Sequence, residues 1–116
     1  MSDRELLEFA AKAAGIHVPT KKDYPWAYID ESGIFRDISC AGDGSRMSRW
    51  NPLTDDGDAL RLAVKLGLKV NVCVTSCSAQ VGGIGTFVEI DFDGDPLAAT
   101  RRAIVRAAAE IGRQMP

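Results

Sequence analysis

No apolar run in the 116-residue chain approaches the roughly 20 residues needed to span a bilayer. The opening residues Met1, Ser2, Asp3, Arg4 and Glu5 are polar, so the apolar core of a secretory signal is missing. Basic charge is not in excess. Lys and Arg number 14 against 16 Asp and Glu, a net charge of -2. Nothing in that balance advertises a nucleic acid or an anionic membrane as partner. The three cysteines, Cys40, Cys73 and Cys77, have no recognised metal spacing and are expected to be reduced thiols. His17 is the one histidine. With no nucleophile or triad motif for it to serve, it is expected to be an exposed loop residue. These absences lead us to expect a soluble, intracellular protein with no membrane partner.

What is present is ordinary for a folded domain: 46% hydrophobic and 26% charged residues. The length suits one domain over 1–116, burying about two-thirds of the surface of the unfolded chain.

Three helices are legible. Ser2 with Glu5 forms a capping box, Leu6, Phe9, Ala10 and Ala13 follow on one face, and Gly15 stops the first helix. Thr54 or Asp55 caps the second, whose stripe is Ala59, Leu62, Ala63 and Leu66 before Gly67. Asp95 caps the third and Pro96 fills its first turn. Its buried stripe is expected to be Leu97, Ile104, Ala108 and Ile111, with Arg101, Arg102, Arg106 and Arg113 outward.

Strands are expected over 24–29 and 34–38 around a turn at 30–33, and over 69–75 and 84–92 as a hairpin. Val70, Val72 and Val74 share one face of the former; Thr86, Val88, Ile90 and Phe92 share one face of the latter. Residues 16–23 and 39–48 suit loops, and Gly82-Gly83 a turn. The order α-β-β-α-β-β-α predicts an α/β fold, a single-domain α/β/α sandwich of about four mostly antiparallel strands and three helices.

Candidate sites compete with plainer roles. Asp91, Asp93 and Asp95 do not fit a calcium loop, because the sixth and twelfth positions hold Pro96 and Arg102. Asp55, Asp56 and Asp58 suit the positive end of a helix dipole better than a metal. Cys73 and Cys77 lack a second ligand pair for zinc. Gly82-Gly83-Ile84-Gly85 lacks the Lys-Ser/Thr of a phosphate loop and precedes a strand. Neither a metal nor a cofactor is implied. Arg102, Arg106 and Arg113 recur near helical spacing, and Arg46 and Arg49 flank the loop before Trp50, so phosphate contact is the alternative to a solvated face. Asn51-Pro52 sets an extended or turn conformation before the second helix. Trp50 is expected to lie against the start of that helix as a staple; an exposed Trp50 would mark a partner surface.

The run from Trp50 through Asn51, Pro52, Leu53, Thr54, Asp55, Asp56, Gly57 and Asp58 to Leu66 resembles small proteins of tailed bacteriophages and prophages of the phage ABA sandwich domain type. Residues 3–15 and 103–111 are similar to the same proteins, and the three stretches cover much of the chain. The resemblance implies helices on both faces of a sheet, a phage or prophage source and action in the cytoplasm of a bacterial host. It implies no catalytic or binding residues.

A fold signal with no assembled catalytic set leads us to expect a phage accessory protein that is not an enzyme and acts by binding a protein partner or itself. The alternatives are nucleic-acid binding through the last helix, and a small enzyme near Trp50 and Asp55. The candidate binding residues are Trp50, Asn51, Asp55, Asp56, Arg102 and Arg106.

Overall fold

Three short polar side chains turn back on free N–H groups of the turn that follows, and a helix starts at each. Ser2 Oγ accepts from the Glu5 N–H at 3.2 Å at the head of α1 (Asp3–Ala14). The Asp55 carboxylate accepts from the Asp58 N–H at 2.8 Å before α2 (Asp56–Leu66). Asp95 accepts from the Leu97 N–H at 3.0 Å before α3 (Pro96–Gln114). Each bond satisfies a donor that the helix itself cannot. Gly15 and Gly67 close α1 and α2 in the left-handed conformation, as expected. The computed structural model describes residues 2–16, 28–30, 32–37, 47–73, 78–83, 85–92 and 94–115. His17, Cys40, Arg46, Val74, Cys77 and Asp93, with most of the expected loops 16–23 and 39–48, lie outside them.

The strands form two antiparallel sheets. The first has the order β1 (Tyr28–Asp30), β2 (Gly33–Asp37), β3 (Met47–Trp50). The second has the order β4 (Lys69–Cys73), β5 (Ser78–Gly83), β6 (Thr86–Asp91). The mixed α/β fold of three helices and antiparallel strands is therefore as expected. The strands differ in number and grouping: six among the described residues, in two sheets of three. Two elements account for the difference. Met47 and Ser48, assigned to a loop, begin β3, which pairs Trp50 with Ile34. Gly82 and Gly83, assigned to a turn, lie inside β5 opposite Phe87 and Thr86. As a result β4 and β6 do not pair with each other; both pair with β5.

α3 is the central helix. It packs on α1 and α2 and covers β5 and β6. Burial on several sides explains its composition: Ala99, Ala103, Ala107, Ala108, Ala109 and Gly112 are all buried. Small residues let helix backbones come close, and at Gly112 the approach is closest. A Cβ there would overlap the carbonyl oxygen of Phe9 and sit 2.7 Å from its carbonyl carbon. Two expected stripes are rotated by this packing. α1 buries Leu6, Leu7, Ala10, Ala11 and Ala14, with Phe9 and Ala13 only half-buried. In α3 Leu97 is exposed and Ile111 half-buried, whereas Arg101 is turned inward. The stripe of α2 is as expected, with Leu66 half-buried. On β6, Val88 and Ile90 pack on the core, while Phe87, Glu89 and Asp91 are exposed.

Candidate functional site

The residues just before α2 form a hydrogen-bonded knot. Asn51 is 1% exposed and at its centre. Its side-chain amide donates to the Ser32 carbonyl at 2.7 Å, and its Oδ1 accepts from the Leu53 N–H at 2.9 Å. Its carbonyl accepts from the N–H groups of Thr54 and Asp55 at 3.2 and 2.9 Å. Its own N–H donates to Asp58 Oδ2 at 3.0 Å. Asn and Asp favour such local bonds to backbone, which is why they stop one element and start the next.

Gly33 fits the same knot. It has a φ of 135°, and a Cβ there would lie 2.8 Å from the Trp50 carbonyl oxygen. A side chain at this position would clash and strain the backbone. Trp50 itself is buried in the core cluster. It is the last residue of β3 and lies beside Asp58, Arg61 and Leu62 of α2, five residues upstream of the Asp55 cap.

Two of the three carboxylates share Arg61, and the third pairs elsewhere. Asp55 caps α2 and lies 3.8 Å from Arg61. Asp58 takes the Asn51 N–H and, at 2.8 Å, Arg61. Asp56 binds Arg101 at 2.6 Å, and Arg101 Nε also donates to the Leu53 carbonyl at 2.9 Å. That arginine clamps α3 to the loop entering α2. Among the described residues, no three His, Cys, Asp or Glu side chains are grouped so as to hold a metal ion.

The arginine face of α3 is largely neutralised. Arg102 pairs with Asp3 at 3.2 Å and Arg113 with Glu110 at 2.7 Å. Arg106 is exposed but lines a groove of about 480 Å³ together with Glu89 and Glu110. Arg49 is exposed on β3, next to Trp50 at the strand's end. The six candidate residues thus fall into separate places: Trp50 and Asn51 inside, Asp55 and Asp56 at the α2 cap, Arg102 and Arg106 on α3.

A different surface stands out. α3 overhangs β4 only slightly, and a groove of about 490 Å³ opens between α2, β4 and the start of α3. Its walls are nearly all carbon: Leu60, Ala63, Val70, Val72, Leu97 and Ile104, closed at one rim by the Asp56–Arg101 pair. Leu60 is 64% exposed, Leu97 61%, Val70 38% and Val72 42%, and Val64 extends the ridge at 73%. Scattered apolar residues on a surface are unremarkable, but a contiguous patch marks an interaction site. Sequence reasoning missed this face. Val70 and Val72 have the alternation of a core strand, and Leu60 and Val64 fall outside the buried stripe of α2 at a spacing of four. That second apolar stripe on α2 was the available signal.

Comparison with known proteins adds no identity: no family model, no curated protein and no solved structure matches the chain. Among the described residues, no helix is long and apolar enough to cross a membrane.

Proposed function

We propose that this chain is a bacteriophage or prophage accessory protein that acts in the host cytoplasm by binding protein, either a partner or its own copy. The binding surface is the apolar face formed by α2, β4 and the start of α3. The observation that carries the reading is the exposure of Leu60 and Leu97 around one groove, with exposed Val64 one turn along α2 from Leu60. Covering such a face removes apolar area from water at about 25 cal/mol per Å². The acidic residues at the cap of α2 are all committed, Asp55 and Asp58 to backbone N–H groups and Arg61, and Asp56 to Arg101, which supports binding over catalysis. The phage setting is supported by the resemblance of the 50–66 segment and the two flanking helices.

The test is site-specific photo-cross-linking in cells. A benzophenone side chain at position 60 or 97 should yield discrete protein adducts, and one at Arg106 should not. Identical faint adducts from all three positions would count against a dedicated face.

A further inference from the structure

The side chains on the outer face of the second sheet form a row that runs toward one edge. Glu89 Oε2 accepts from Gln80 Nε2 at 2.6 Å, and Gln80 Oε1 accepts from Asn71 Nδ2 at 3.4 Å. The row ends on Asn71, exposed at the middle of β4. Among the described residues β4 has one strand neighbour, β5, and none of them pairs with its other edge. A primary amide bonded once through its nitrogen keeps a second N–H and an acceptor oxygen. Asn71 therefore presents a donor and an acceptor side by side, a self-complementary pair. Val70 and Val72 flank it evenly on the groove face.

We infer that β4 pairs antiparallel with β4 of a second copy, about a two-fold axis at Asn71. The inference rests on the binding role proposed above and names the occupant of that face. In this register Asn71 meets Asn71, Val70 meets Val72, and Lys69 meets Cys73. The β4–β5–β6 sheets of the two copies become one continuous sheet, in which β4 is an inner strand. A two-fold contact needs one patch that complements itself, and a strand centred on an amide between two valines supplies it.

Charge on α2 fits the same axis. α2 returns along the Val70/Val72 side of β4, so the axis sets the two α2 helices antiparallel on one face. Its first turn carries Asp56 and Asp58 and its last turn Lys65, with Lys69 opening β4. Antiparallel approach brings the acidic end of each helix toward the basic end of the other and opposes their dipoles.

Sedimentation equilibrium across the micromolar range tests this. The wild-type chain should show a species of twice the 12.5 kDa chain mass. Asn71→Asp and Asn71→Lys each place like charges on the axis and should weaken self-association at least about tenfold. An equimolar mixture of the two variants should restore the dimer as a heterodimer. Far-UV circular dichroism of both variants should match wild type, since Asn71 is exposed. A wild-type monomer at every concentration, or a dimer indifferent to both charges, overturns the pairing. A monomer whose position 60 still cross-links to another protein overturns the self-pairing alone; a monomer with no such adducts overturns the binding reading as well.

Discussion

The buried N–H of Asn51 donates to the carboxylate of Asp58, seven residues ahead in α2, at 3.0 Å. That bond joins the end of the first sheet to the first turn of a helix. Asp58 also accepts from Arg61, so one carboxylate serves a strand end and a helix surface together.

Asp58→Ala should therefore cost more than an ordinary helix-surface change. It leaves the Asn51 N–H buried without an acceptor, worth about 1–3 kcal/mol. Urea unfolding followed by tryptophan fluorescence reads the loss, because Trp50 adjoins the knot. A midpoint unchanged from wild type would mean that the bond is not structural.

The neighbouring acids separate cap from ion pair. Asp55→Ala removes the helix cap and should lower stability by about 1 kcal/mol. Asp56→Ala removes a pair in which the aspartate side chain is 65% exposed, and should cost no more than about 0.5 kcal/mol. Thermal unfolding of both variants in the same buffer compares them, and the order Asp56 above Asp55 would contradict the assignment.

At Gly112 two effects oppose. Alanine at an ordinary exposed helix position gains about 1 kcal/mol over glycine. Here the added methyl meets the backbone of Phe9, which cannot swing aside as a side chain does. Forcing the helices apart should cost about 1–3 kcal/mol net. A Gly112→Ala chain more stable than wild type would show that α1 and α3 are not so close.

Leu60→Glu with Val64→Glu places two charges on the apolar ridge. Both side chains are mostly in water, so stability should move by less than about 0.5 kcal/mol per site. Protein adducts formed from position 97 should be lost. Loss of folding without loss of adducts would assign the ridge to the core instead.

Helices were legible because their signals are local: Ser2, Asp55 and Asp95 announce their starts without reference to the rest of the chain. The missed strands depend on partners. β5 reads Ser-Ala-Gln-Val-Gly-Gly, with one β-branched residue, and becomes a strand because β4 and β6 supply ladders on both sides. β3 contains Ser48 and Arg49 and is held by β2. The candidate site was legible only in part. Asn51 and Asp55 stood out by residue type, and their polarity serves backbone bonds inside the molecule. The groove was hidden because valines at 70 and 72 look alike in sequence whether a helix covers them or not; the position of α3 decides.

The closeness of Phe9 and Gly112 also sets the order in which the molecule is completed. α1 leaves the ribosome well before α3, the helix that covers its apolar side and is translated about 100 residues later. Lys12 reaches the Met115 carbonyl at 3.0 Å across a separation of 103 residues. At roughly 5–20 residues per second, α1 waits on the order of 5–20 s for that cover. During synthesis the nascent chain carries Leu6 and Leu7 bare, and chaperone engagement of ribosome-bound chains should persist until α3 emerges.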